Sequence, residues 1–371
     1  LSGNVGIFRL FDIEAIKQNL ILLASSSTKT VKFVDRTFNA SYKHANLILE
    51  FIRENFADRR ICFHFEIAAD ILHEETISIL QSMPKGLVQL EIGIQSFNEK
   101  TLSHINRKTD LNKLCYNIKR LQLNKNLHIH TDLIAGLSYE TLESFKESFN
   151  KAFALNSDML QLGFLKLLNG SSMKEDKEKY PSEHSSEPPY EIISNPWLSP
   201  NELYEIKCCE TALDKLYNSG RFILTINYLL NELNISPFDL FRNFSYVNNL
   251  TGISLTELTD KLYSHFSPFC SNEELKEVIL CDLISLKSNI KLPQQLTSYD
   301  KNYKKFKKFF SEKFKCNVKP NNDICEITLC EIYNYRLGGN IIYVVPEKLS
   351  LNTRGRYEGL YYSINEIELK P

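Results

Sequence analysis

Alternation of apolar and polar positions over residues 88–95 predicts a half-polar β-strand, with Leu90, Ile92 and Ile94 on one side and Glu91, Gly93 and Gln95 on the other. The Ser-Phe-Asn-Glu that follows reads as a capping box. In it the Ser96 hydroxyl takes the N3 amide, Glu99 reaches back, and a helix carrying Leu102 and Ile105 runs toward Arg107. Similar units stand on either side. Helical spacing at Ile13, Ile16, Leu20 and Leu23 predicts a helix over 10–24, before a short strand over 31–34 ending in Asp35, Arg36 and Thr37. A helix over 45–56, a strand over 61–65 ending in Glu66 and a helix over 74–83 precede the central strand. After it come a helix over 110–123, a strand over 127–134, a helix over 141–155 and a strand over 159–165. Strands alternating with helices of this length predict a parallel sheet with helical crossovers.

The two faces of these strands differ. His64 and Glu66 share a face, as do Glu91, Gly93 and Gln95, then His128, His130 and Asp132, then Gln161 and Gly163; the opposite faces are apolar. A doubly wound sheet covered on both sides would be apolar on both. One polar face therefore predicts a curved, open partial barrel whose lumen holds a ligand, with polar groups gathered at the carboxyl ends of the strands.

Composition narrows the class. The 371 residues, 43% of them apolar, suffice for a large core and two domains, and 44 basic against 45 acidic residues leave a formal charge of -1. No global field steers the chain to nucleic acid or anionic lipid. Nine cysteines without a framework of spacings suit reduced thiols and a cytoplasmic location, and no apolar run approaches a membrane span.

Four segments, VKFVDRTFN (31–39), FHFEIAADIL (63–72), LEIGIQSFNEKTLSHINR (90–107) and HTDLIAGL (130–137), together resemble the radical S-adenosylmethionine (SAM) superfamily. Within it they resemble the branch with a cobalamin-binding domain upstream and a domain of unknown function downstream. The resemblance implies an α/β fold: a partial (β/α)6-type barrel lacking its first strand over 1–168, a linker or lid over 169–190, and a mostly helical domain over 191–371. It implies SAM as cofactor, with Glu66 on the methionine ammonium, Gln95 and Arg107 on the ribose and methionine carboxylate, and Asp132 near the ribose hydroxyls. Ile134 and the backbone at Gly136 would pack on adenine, and Asp35 would lie beside the methionine moiety. Ser96 belongs to the same candidate set, although its capping role suffices to explain it. The family's activity is reductive cleavage of SAM by a 4Fe-4S cluster, with an electron donor such as flavodoxin or ferredoxin.

The cluster motif CxxxCxxC is absent. The opening LSGNVGIFRLFD resembles the segment just after the third cysteine, so the expectation is a fragment whose cluster thiolates and cobalamin domain lie upstream and which cannot cleave SAM alone. Two other readings stand beside this one. A metal-independent barrel lyase or hydrolase would use Glu66, His130 and Asp132 as acid-base groups. An RNA-binding module would use the lysine and aromatic residues of 303–315, although their helical spacing favours an amphipathic surface helix. No third ligand accompanies His128 and His130, which read as a buried pair, and Lys166 ends the last strand of the barrel. Beyond 190, helices are expected over 200–218, 255–265 and 272–287, with terminal strands over 325–329 and 341–345.

Overall fold

A computed structural model of the chain describes residues 9–58 and 61–286, together with the backbone of three strands within 327–363. These residues fall into two compact units, Leu1–Glu210 and Thr211–Pro371. The first is built on five parallel strands in the order β1-β2-β3-β4-β5: β1 (Thr30–Lys32), β2 (Cys62–Ile67), β3 (Val88–Gln95), β4 (His128–Ala135) and β5 (Met159–Phe164). Each strand pairs with the next in sequence, and the intervening helices are α2 (Tyr42–Phe56), α3 (Glu74–Gln81), α4 (Glu99–His104), α5 (Leu111–Leu121) and α6 (Leu142–Phe153); α1 (Ile13–Ala24) precedes β1. The α/β alternation expected from the sequence is the architecture observed.

Alternation along the strands sets the core. Phe63, Phe65, Leu90, Ile92 and Ile94 are fully buried on one face, as are Ile52 of α2, Ile77 of α3, Ile118 of α5 and Phe145 of α6. Each such side chain stabilises the fold by about 1.5–3 kcal/mol relative to exposure. The other face carries His64, Glu66, Glu91, His130 and Asp132, all of intermediate exposure. A sheet that packs helices on one face and keeps acids and histidines on the other encloses a polar hollow.

Local details depart from the sequence pattern. The first strand ends at Lys32, two residues short of the expected limit, although the Phe33 amide still donates to His64 O at 2.9 Å. The helix after β3 is capped by Asn98, whose side chain accepts from the Lys100 and Thr101 amides; Ser96 is not its cap. Arg107 lies three residues beyond that helix rather than at its end. The expected boundary near 168 does not coincide with the division into units, and 169–190 holds a short helix, α7 (Ser172–Glu175), and β6 (Glu183–His184), which pairs with β7 (Ile192–Ser194). It is tied down: Tyr180 Oη donates to His104 O at 3.2 Å, and the Tyr180 ring meets the His104 ring at 5.0 Å.

α8 (Pro200–Leu213) runs into a π-helical turn at Asp214–Asn218. The second unit then contains α9 (Ile223–Leu233), α10 (Pro237–Val247), α11 (Leu255–Phe266) and α12 (Asn272–Ile284), plus an antiparallel sheet of β8 (Ile327–Asn334), β9 (Gly339–Pro346) and β10 (Leu360–Ser363). Neither α9 nor α10 was expected from the sequence pattern. The expected amphipathic helix over 303–315 lies outside the described residues. No described helix is long and apolar enough to cross a membrane.

Candidate functional site

At the carboxyl ends of the strands the hollow opens into a cavity of about 660 Å³. Its walls are Glu66 from β2, Glu91, Gly93 and Gln95 from β3, Arg107 from the segment after α4, and Asp132 from β4; its mouth is formed by Arg36, Thr37, Lys166 and residues 168–171. Lys166 thus sits on the rim.

The centre of the wall is a glycine-dependent junction. Pairing of β3 with β4 slips between Gly93 and Gln95, a bulge, and Gln95 adopts a left-handed φ of 71°. That conformation costs a non-glycine residue about 1–3 kcal/mol and is found where a side chain has to be re-aimed. Here it turns the Gln95 amide onto Asp132, Nε2 donating to Oδ2 at 2.8 Å. Gly93 makes room, because a Cβ there would stand 2.5 Å from Gln95 Nε2 and 3.1 Å from Arg107 Nη2. Arg107 donates through Nη2 to Gly93 O, while its Nε is buried with no hydrogen-bond partner. A guanidinium that lines a concave site is a donor suited to a ligand carboxylate.

Electrostatics follow from burial. Asp132 is pushed up to about 7 by desolvation, which, with the nearby Glu91 and Glu66 charges, outweighs Arg107 and the Gln95 hydrogen bond. Burial holds Arg107 below its ordinary value despite Asp132 and Asp70. Toward the β1 edge of the sheet the Lys32 ammonium lies 3.4 Å from Glu66 Oε1 and 3.3 Å from Glu91 Oε2, and His64 Nε2 lies 3.0 Å from the same Glu91 oxygen. Burial lowers the Lys32 pKa, but its hydrogen bonds and charge interactions with Glu91 and Glu66 outweigh this and hold it above the ordinary lysine value. Glu66 therefore already receives an ammonium, the group that the sequence resemblance assigns to it.

Other candidates are placed elsewhere. Asp35 is exposed and does not line the cavity; Arg36 and Thr37 do. Ser96 is fully buried, donating to Glu140 at 2.7 Å, and makes no part of the cavity wall. Ile134 shares the face of Asp132 without lining the cavity, and the close approach that Gly136 permits is taken by Ile192, whose Cγ2 stands 2.7 Å from where a Cβ would be. His130 lies below the cavity, its ring 4.6 Å from His128 and near Gln89, and burial, with the His128 and His64 charges, lowers it to about 4. The acid-base set Glu66, His130 and Asp132 is thus not assembled around one space. Among the described residues no group of three or more His, Cys, Asp or Glu is arranged to hold a metal ion. Lys32 and Glu140 were not singled out from the sequence. For Lys32 the signal was its alternation with Val31 and Phe33; for Glu140, between a strand and a helix, there was none.

Residues 3–152 match the model of the radical SAM superfamily, and residues 178–334 match a model described as a protein of unknown function, DUF4080. No curated protein matches. Among solved structures, the radical S-adenosylmethionine methyltransferase TsrM from Kitasatospora setae, with cobalamin and a 4Fe-4S cluster bound, is 18% identical with a TM-score of 0.40, over 47% of this chain and 33% of that one. Coproporphyrinogen III oxidase HemN from Escherichia coli is 18% identical with a TM-score of 0.40, over 56% of this chain and 45% of that one. The cobalamin-dependent enzyme OxsB, with aqua-cobalamin and SAM bound, is 14% identical with a TM-score of 0.38, over 73% of this chain and 49% of that one. The chain spans less than half the length of each of these three. Over residues 3–152 the chain is thus similar to the radical SAM superfamily, and over residues 178–334 to the DUF4080 family.

Proposed function

We propose that the lumen at the carboxyl ends of β2 to β4 binds S-adenosylmethionine and orients it for radical chemistry on a substrate. The observation that carries this is the Arg107 guanidinium, anchored on Gly93 O and lining the same cavity as Glu66, Gln95 and Asp132. It is the donor a methionine carboxylate would satisfy in a site of low dielectric. Glu66, already beside one ammonium, would take the amino group, and Gln95 with Asp132 would meet the ribose hydroxyls. Asp132, with its raised pKa, can donate or accept there near neutral pH.

Homolytic cleavage in this superfamily takes its electron from a 4Fe-4S cluster. Residues 1–371 contain no CxxxCxxC spacing, and the described cysteines, among them Cys62, Cys115, Cys270 and Cys281, form no cluster-binding group. The residues present do not fit a cluster, so the proposal for this chain is binding and orientation of SAM. Cobalamin use rests on the branch the sequence resembles.

Titration calorimetry with SAM tests the reading. Arg107→Ala and Glu66→Ala should each weaken binding roughly 10- to 100-fold, as expected for hydrogen bonds to charged groups. Unchanged affinity in both variants would overturn it.

A further inference from the structure

We infer that Glu140 is a positioning residue, holding the turn that follows Gln95 through Ser96 and Ser148; this rests on the reading that Gln95 contacts SAM. Glu140 lies in the connection from β4 to α6 and is completely buried. One carboxyl oxygen accepts from Ser96 Oγ at 2.7 Å and from Ser148 Oγ at 2.9 Å. The two hydroxyls are themselves acceptors: Ser96 Oγ takes the Asn98 amide at 2.9 Å, and Ser148 Oγ takes the Phe97 amide at 3.0 Å. Asn98 Nδ2 closes the circuit on Tyr139 O at 3.0 Å.

All three residues after Gln95 are therefore tied to the β4–α6 connection or to α6. Gln95 itself holds a left-handed φ that a glutamine does not adopt unsupported, and the slip in pairing removes regular ladder support at that point. The hydrogen bonds around Glu140 are the contacts that fix the chain immediately beyond it. The other carboxyl oxygen of Glu140, Oε2, is buried without a partner. Two residues on the other side of the strained position, Gly93 leaves space for the Gln95 and Arg107 side chains, so the network and the glycine act on one object, the direction of the Gln95 amide.

The test is SAM binding to the intact, unreduced protein by calorimetry, with hydrogen-deuterium exchange read at Phe97 and Asn98. Glu140→Ala should weaken SAM binding roughly tenfold, the loss of about one well-made hydrogen bond in the site, and accelerate exchange at those two amides. Glu140→Gln, whose carbonyl can still accept from both hydroxyls, should restore affinity to within about threefold of the parent. Thr76→Val removes a buried hydrogen bond of similar length, Thr76 Oγ1 to Asn46 Oδ1 at 2.7 Å, away from the site; it should lower stability and leave SAM affinity unchanged. If Glu140→Ala does not fold, Ser96→Ala takes its place with the same expected direction. Weakening by Gln95→Ala without weakening by Glu140→Ala or Ser96→Ala would overturn the inference. Unchanged affinity in Gln95→Ala would instead refute the underlying reading of Gln95.

Discussion

Gly93 and Asp132 show how single atoms decide whether the lumen works. A methyl group at residue 93 would meet the free ends of Gln95 and Arg107 rather than backbone, so the fold can absorb it while the side chains cannot keep their places. Gly93→Ala should therefore change stability by less than about 1 kcal/mol yet weaken SAM binding roughly tenfold, as for a lost hydrogen bond to a charged ligand group; denaturant titration beside calorimetry separates the two. Asp132 carries a pH signature. Its folded pKa of about 7 stands above the ordinary 3.8, so between those values the folded state holds a proton that the unfolded state has released. Stability from this group is present at low pH and is lost as pH rises through the window. Asp132→Asn should accordingly stabilise the ligand-free protein at pH 8 by on the order of 1–4 kcal/mol and change it little at pH 4. Urea midpoints that shift equally at both pH values would contradict this.

Among the elements, two helices illustrate where caps come from. α4 is capped locally by Asn98; a helix was expected here, but one running on toward Arg107 and capped by Ser96, because Glu99 completes a capping-box spacing with it. Ser96 Oγ donates to Glu140 and accepts from the Asn98 amide rather than from the amide of residue 99, and the cap lies two residues on. α9 was not anticipated at all. Its N-cap position is Phe222, which offers no side-chain acceptor; instead Asp282 of α12 accepts from the Leu224 amide at 3.1 Å and the Thr225 amide at 2.7 Å. A carboxylate at a helix N-terminus is favoured by the exposed amides and the helix dipole. Asp282→Ala should cost about 2–3 kcal/mol, since it strands the buried Thr225 amide and hydroxyl and the part-buried Leu224 amide. Guanidinium melts followed by helical circular dichroism would show it.

For the whole molecule, the division into Leu1–Glu210 and Thr211–Pro371 places all the cavity-lining residues in the first unit. A ligand that binds only the folded first unit raises its stability by mass action, about 2.7 kcal/mol at a concentration 100 times Kd. Scanning calorimetry should then show SAM moving a transition that Arg107→Ala no longer allows it to move. A shift of equal size in the variant would argue that SAM stabilises the protein from somewhere other than the lumen.

Alternation of apolar and polar residues along β2 to β4 was enough to define a sheet with one hydrophilic face, because period-two patterning is a local property and a one-residue slip would bury Glu91 in the core. The same pattern identified Glu66, Gln95 and Asp132 as lumen residues. It did not reveal that Gln95 reaches Asp132 through a bulge and a left-handed backbone, that Arg107 comes to rest on Gly93 O, or that Glu140 ties down the turn between them. Those features depend on groups brought together from 14 to 44 residues apart. Hydrogen bonding across such distances follows from how the strands and helices pack, and no local spacing encodes it.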